Sequence, residues 1–417
     1  MKNQIIHTPE GVRDIYNKEC KKKLLIQKRL HRMLHLYGYQ DIQTPTFEFF
    51  DVFRKEIGTI PSKELYKFFD REGNTLSLRP DITPSIARAA ATLFEHEEVP
   101  VRLCYMGNIF INHFSYQGRP KESTQLGGEF IGEDSVDADA EMIALVADCL
   151  KSAGLEKFQV TVGHVDFFES LMNEAAMDAK TEEQVRTLVS NRNYFGVLEI
   201  LDTLCVNQKV KEAFEHLEEM TGGIEVLEKG RQYSLNTKAA SAVKRLEKIY
   251  EVLKAYGVEE YITFDLSMSG TYGYYTGLIF RAYTFGTGDA IVKGGRYDHL
   301  IEKFGKESPS VGFAIVVDEL VNALERQKVE IPIKDDNTLI LYDKKKRMAA
   351  ISLAKEFRDS QKNIEMMKRD PEQDLEVYAQ HGRQNGAGSM IYLEEDEQIY
   401  MENLQNGHKK ILKKKGE

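Results

Sequence analysis

Apolar residues Ile26, Leu30, Met33, Leu34 and Tyr37 recur three and four positions apart, which predicts an amphipathic helix over Lys21–Tyr37. Gly38 closes it, and DIQTPTFEFF follows as an extended segment. Pro45 in that segment has a fixed φ and no donor, so the strand is expected at a sheet edge or beside a partner. FFDREGNTLSLRPDITPSIARAAATLF then reads as strand, turn at Glu72-Gly73-Asn74, strand and helix. The helix is expected to start near Thr83-Pro84, with Thr83 as its cap. VRLCYMGNIFI and TQLGGEFIG read as a hairpin within Val101–Ile131, joined by a polar loop that contains Gly118 and Arg119. Asp137–Leu150 and Val185–Leu204 read as helices, and residues from about 170 to 235, rich in Glu, Leu and Lys, as a helical insertion. Val243, Leu246, Tyr250 and Leu253 mark another helix, ended by Gly257.

After Gly257 the alternating run YITFDL reads as a strand leading into SMSGTYGYYTG, Ser267–Gly277, which is full of Gly, Ser and Tyr and carries no charge. Such a stretch is pocket-like, yet it offers rings and hydroxyls and no ionic group. DAIVKGGRYDHL and then SPSVGFAIVVDELVNAL follow, the second as strand into helix. These strands are expected to cluster antiparallel with helices around them, an α+β core over residues 1–325. Near Pro332 the pattern changes. NTLILYD, a helix from Arg347 to Phe357, DLEVYAQ and SMIYL alternate as β and α, so residues 333–417 read as a small C-terminal α/β domain.

Composition narrows the class. At 417 residues, 42% hydrophobic and 29% charged, the chain can bury a sizeable core and has no apolar run long enough to span a membrane. No secretory leader is visible in MKNQIIHTPEG, and Cys20, Cys104, Cys149 and Cys205 lie far apart without metal-type spacing. Reduced thiols, a cytoplasmic location, no metal and no cofactor are the expectations. A net charge of −10 argues against nucleic acid as the main partner, since the basic runs are only short clusters at 21–23, 344–347 and the C-terminus.

The order of blocks over residues 1–325 resembles a histidyl-tRNA synthetase, a class II aminoacyl-tRNA synthetase. GYQDIQTPTFE is similar to motif 1, with Pro45 as its dimer-interface proline. FFDREGNTLSLRPDITP resembles the segment that carries the acid for the amino acid, and VRLCYMGNIFINHFSYQGRPKESTQLGGEFIG resembles motif 2. YGYYTGLIF and VKGGRYDHLIEKFG look like the two histidine-specific motifs, and SPSVGFAIVVDELV looks like motif 3. The resemblance therefore implies an antiparallel sheet flanked by helices.

The charges depart from that pattern. Such a synthetase has an Arg directly after the motif 2 Phe; here Ile111 follows Phe110, and His113 replaces a Glu. Motif 3 normally ends in Glu-Arg; here it ends in Asp318-Glu319. The histidine motif normally reads Arg-Gly-Leu-Asp-Tyr-Tyr; here Gly270–Tyr275 reads Gly-Thr-Tyr-Gly-Tyr-Tyr. A cation about 4 Å from a phosphate oxygen contributes roughly 4 kcal/mol at an effective dielectric near 20, so three losses remove on the order of 10 kcal/mol at most. At about 1.4 kcal/mol per tenfold in rate, amino-acid activation should be negligible.

The resemblance leaves the amino-acid side of the site in place. Asp81, where the synthetases have Glu, is expected to meet an α-ammonium, with Thr83 beside it. Gln125 and Glu129 are four apart on one strand and so share a face. Tyr274 and Tyr275 are kept, and Gly294-Gly295 would admit a ligand close to the backbone. The plainer readings stay open: Asp81 as a helix cap, Gln125 and Glu129 satisfied by each other and water, the tyrosines as strand residues, and GGRYD as a turn. A histidine-binding fold without its ATP cations resembles the regulatory subunits of ATP phosphoribosyltransferase. That implies no catalysis of its own, a short-form catalytic subunit as partner, a homodimer within a hetero-octamer, and L-histidine as effector. An active synthetase and a non-aminoacylating tRNA-binding regulator are the alternatives.

Overall fold

The computed structural model describes residues 7–54, 60–113, 119–204, 206–269, 274–393 and 399–412; Gly118, Cys205 and Gly270–Gly273 lie outside them. Two compact units emerge. One comprises Met1–Asp14 with Leu25–Glu330, the other Ile15–Leu24 with Ile331–Glu417.

The first half of the larger unit contains α1 (Asn17–Leu36, its later turns only), β1 (Gln40–Asp41), β2 (Phe47–Phe49), β3 (Lys67–Phe69), β4 (Thr75–Leu78), α2 (Thr83–Leu93), β5 (Val101–Phe110), β6 (Glu122–Ile131) and α3 (Val136–Ala153). Then come β7 (Phe158–His164), α4 (Val165–Glu174), α5 (Ala179–Ser190), α6 (Tyr194–Leu204), α7 (Gln208–Glu215), β8 (Thr221–Gly222), α8 (Val226–Gln232) and α9 (Thr237–Tyr256). β9 (Ile262–Asp265), β10 (Leu278–Thr284), β11 (Val292–Arg296), β12 (Ser310–Val316) and α10 (Val317–Arg326) complete it.

Local chemistry explains most boundaries. The Ser135 hydroxyl accepts the Ala138 N–H at the start of α3, Asn236 caps α9 in the same way, and Gly257 ends α9 at φ 68°. Thr83 does not cap α2 as expected: it is the first helical residue, and its hydroxyl goes elsewhere. The single helix expected over Val185–Leu204 is two, because Asn191-Arg192-Asn193 breaks it with Arg192 at φ 57°.

Among the described residues the main sheet has the order β1-β5-β6-β12-β11-β10-β7-β9-β8. The β1–β5 and β7–β9 pairs are parallel, so the sheet is mixed rather than wholly antiparallel. Its central strands β6, β12 and β11 pair in sequence, with Gly312 opposite Glu129 and Gly295 opposite Gly312. A separate sheet, β2-β4-β3, precedes α2. Pro45 falls in the connection between β1 and β2 rather than in a strand.

The smaller unit holds β13 (Asn337–Tyr342), α11 (Arg347–Asp359), β14 (Ile364–Lys368), α12 (Leu375–Gln384), β15 (Ala387–Leu393), β16 (Ile399–Asn403) and β17 (Lys409–Leu412). Its sheet order is β14-β13-β15-β16-β17. Alternate residues of β13 pack on opposite sides, Leu339 and Leu341 with Tyr378 of α12, Ile340 with Ala350 and Ala354 of α11. No helix among the described residues is long and apolar enough to cross a membrane.

Candidate functional site

The strand β6 has Gln125 and Glu129 on one face, as the four-residue spacing requires. Both line a cavity of about 140 Å³ together with Asp81, Thr83, Tyr274 and Tyr275. All six residues singled out from sequence thus meet at one place. Asp81 and Thr83 arrive from the start of α2, and the tyrosines from the segment that leads into β10. Lys293, Gly295 and Tyr297 come from β11 and its end, Gly312, Phe313 and Ala314 from β12.

The polar groups are tied to one another. Gln125 donates from Nε2 to Asp81 Oδ1 at 3.1 Å and accepts the Ile82 N–H at 3.3 Å. Asp81 Oδ1 also accepts the Ile82 N–H at 2.8 Å, so the residue does support the start of α2 while facing the cavity. The Thr83 hydroxyl donates to Glu129 at 2.8 Å and the Tyr297 hydroxyl at 2.5 Å. Gln125 and Glu129 are therefore satisfied by these neighbours, not by each other. Tyr105 is buried beside this group, its hydroxyl without a hydrogen bond of standard geometry.

Two glycines make the packing feasible. A Cβ on Gly312 would stand 1.5 Å from Glu129 Oε2, so only glycine leaves room for that carboxyl. A Cβ on Gly295 would stand 2.8 Å from the Tyr275 ring. Gly294, expected to admit ligand, instead makes room for the Phe280 ring, 2.3 Å from where its Cβ would be.

Burial dominates the electrostatics. Glu129 is fully enclosed, which pushes its carboxyl up to about 8, while hydrogen bonds from Tyr297 and Thr83 oppose the rise. Burial also raises Asp81, against hydrogen bonds from Gln125, the Ile82 and Thr83 N–H groups and Tyr274. Burial thus disfavours the charged form of both carboxyls, and a cation placed between them would offset that cost. Among the described lining residues the only cation is Lys293, whose Nζ is 3.0 Å from Asp289.

The residues of the motif 2-like and motif 3-like segments, and two arginines of the larger unit, have partners of their own. Ile111 lines the cavity and packs against the apolar cluster around Ile109 and Tyr274. His113 stands near Glu64, and burial together with Arg119 lowers its pKa. Asp318 accepts the Thr124 N–H at 2.6 Å, fastening α10 to β6, and Glu319 shares the first turn of α10, where a negative charge suits the helix dipole. Arg79, of the LRPD segment, spends its guanidinium on the carbonyls of Asn108, Thr44 and Pro45. Arg296 of GGRYD is buried against Asp139 at 2.8 Å and Asp298 at 3.0 Å.

Tyr297 and Lys293 were not singled out from sequence. Their signal was parity: Lys293, Gly295 and Tyr297 alternate along VKGGRY, so all three fall on one side of β11 and its C-terminal end.

This fold defines a class II synthetase-like protein of the histidine branch. Residues 11–320 match the family model described as Histidyl-tRNA synthetase. An ATP phosphoribosyltransferase regulatory subunit from Acetivibrio thermocellus is 36% identical over 402 residues, 96% of each chain. Another from Ruminiclostridium cellulolyticum is 35% identical over 401 residues, 96% of this chain and 95% of that one. The crystal structure of an ATP phosphoribosyltransferase regulatory subunit/histidyl-tRNA synthetase from Bacillus halodurans superposes with a TM-score of 0.83 at 32% identity, covering 94% of this chain and 99% of that one. A histidyl-tRNA synthetase from Nostoc shares the fold, with a TM-score of 0.80 at 18% identity over 97% of this chain and 96% of that one. The chain belongs to the family of ATP phosphoribosyltransferase regulatory subunits, which is built on the histidyl-tRNA synthetase fold.

Proposed function

We propose that this chain is a non-catalytic regulatory subunit of ATP phosphoribosyltransferase, acting in the cytoplasm on the first step of histidine biosynthesis, and that its cavity binds L-histidine as the feedback effector. The regulatory-subunit relatives support the first part. The observation that carries the second is the pair of buried carboxyls, Asp81 and Glu129, in a cavity whose described lining has Lys293 as its only cation. A triphosphate would meet Lys293 as the only cation among the described lining residues; an amino acid with an ammonium and an imidazole would meet two carboxyls and the hydroxyls around them.

In this reading the α-ammonium meets Asp81 and the imidazole lies near Glu129, Thr83 and Tyr297. Ile111, Asp318 and Glu319, at positions where a synthetase has phosphate-binding groups or their neighbours, support the absence of catalysis. Cys20, Cys104 and Cys149 are free thiols, as suits a reducing compartment. The partner is a short-form catalytic subunit, and the assembly a hetero-octamer built on homodimers of this chain. Histidine would favour one arrangement of that complex, with a coupling of about 1–3 kcal/mol.

Calorimetry of histidine with the isolated chain tests the site. The parent should give a saturable heat, and Gln125→Ala and Glu129→Ala should each weaken binding at least tenfold. A parent without heat overturns the effector assignment. Mixing with a purified short-form catalytic subunit tests the partnership separately: co-elution and a gain in turnover are expected, and neither appearing overturns it. Histidine-dependent pyrophosphate exchange should stay at background.

A further inference from the structure

The cluster formed by His31, His35, Asp41 and Cys104 lies outside the cavity lining and has no part in the function proposed above. His31 and His35 stand one turn apart on α1 and so share a face, with ring centroids 4.3 Å apart. Asp41 on β1 and Cys104 on β5 are register partners across the parallel pair. His31 Nε2 is 2.6 Å from one Asp41 oxygen and His35 Nε2 is 3.0 Å from the other. The Cys104 thiol is 3.5 Å from the first of these oxygens. All four potential ligand atoms lie within 4.8 Å of one another.

We propose that His31, His35, Asp41 and Cys104 form a binding site for a divalent transition-metal ion of the zinc class, which clamps α1 to the sheet edge at β1 and β5. Two imidazoles, a thiol and a carboxylate are the donor types that zinc and cobalt select, whereas magnesium and calcium take all-oxygen shells. Tetrahedral zinc bonds of about 2.0–2.3 Å put ligand atoms roughly 3.3–3.8 Å apart. The widest pair here must close by about an ångström to reach that spacing. The two imidazoles have the freedom to do so, their side chains being 35% and 45% exposed.

A simple ion pair would need one histidine and one carboxylate. Here both histidines present the same ring nitrogen to a single carboxylate, and a buried thiol closes the fourth side. Four protein ligands leave no open position, so the ion would be structural rather than catalytic. The short β1, two residues long at the edge of its sheet, is where such a clamp has most to add.

Cobalt spectroscopy reads the site directly. The untagged full chain is stripped with chelator, kept reduced with a phosphine and titrated with Co²⁺. One equivalent should give tetrahedral d–d bands and a thiolate-to-cobalt charge-transfer band, and Zn²⁺ should displace it. Cys104→Ser should abolish the charge-transfer band, whereas Cys20→Ser should leave it unchanged. The double variant His31→Gln/His35→Gln changes side chains that are at least partly exposed. It should keep the metal-free melting temperature, bind at least a hundredfold more weakly, and lose the rise in melting temperature that Zn²⁺ gives the parent. An octahedral spectrum without the thiolate band, or binding unaltered in the double variant, overturns the proposal and leaves adventitious metal binding only.

Discussion

Burial of Glu129 between Thr83, Tyr105 and Tyr297 gives the protein a pH dependence of its own. The carboxyl ordinarily titrates at 4.5 and is raised to about 8 in the folded chain, so between these values the folded state keeps a proton that the unfolded state has lost. Stability from this group is therefore greatest below pH 4.5 and falls as pH rises towards 8. Asp81, shifted in the same direction, adds to the fall. Glu129→Gln removes this group's share, so its advantage over the parent should grow from pH 5 to pH 9, by on the order of a few kcal/mol. Urea midpoints of both proteins across that range measure it; a difference that stays flat shows that the carboxyl is ionised in the folded state. The four core members of this site were legible because LRPDITP and the spacing of Gln125 and Glu129 are local facts. The hydrogen bond from Tyr297, which comes from a residue 168 positions away in sequence, was not.

At the scale of elements, Arg79 is the fastening between the motif 1 segment and β5. Its guanidinium joins carbonyls of Thr44 and Pro45, before β2, to that of Asn108 on β5. Arg79→Ala leaves these buried acceptors without their partner and should destabilise the larger unit by roughly 3 kcal/mol. Arg79→Lys should recover little, since an ammonium cannot reproduce the planar fork. Denaturant unfolding decides this: a loss under about 1 kcal/mol would mean that the carbonyls find other partners. Helix α9 was legible from its periodicity and the closing Gly257, and the start of α2 from Thr83-Pro84, although Thr83 does not cap it. β7 and β14 were not singled out: β7 lies inside the sheet between β10 and β9, and β14 is a short run, IEMMK, without strong strand preference. The break in 185–204 had a sign in Asn191-Arg192-Asn193, which periodicity overrode.

At the scale of the whole molecule, the β2-β4-β3 sheet presents an apolar face to solvent. Phe49 is 56% exposed, Phe68 stands across Leu76 from it, and the Phe47 and Phe68 rings meet at 5.7 Å. Pro45 precedes β2 by two residues in sequence, and the homodimer proposed above would cover this face. Phe49→Glu with Phe68→Glu should yield a monomer in sedimentation while leaving histidine calorimetry unchanged. A dimer that survives both changes places the interface elsewhere. The sequence by itself determined the class of fold, because periodicity and the order of motifs are properties of the chain read in order. Only the tertiary structure decided that two carboxyls share one enclosed cavity, that Gly312 exists for Glu129, and that His31, His35, Asp41 and Cys104 converge. Burial and close approach between distant segments are set by how strands pair, and strand pairing is not written in any local window.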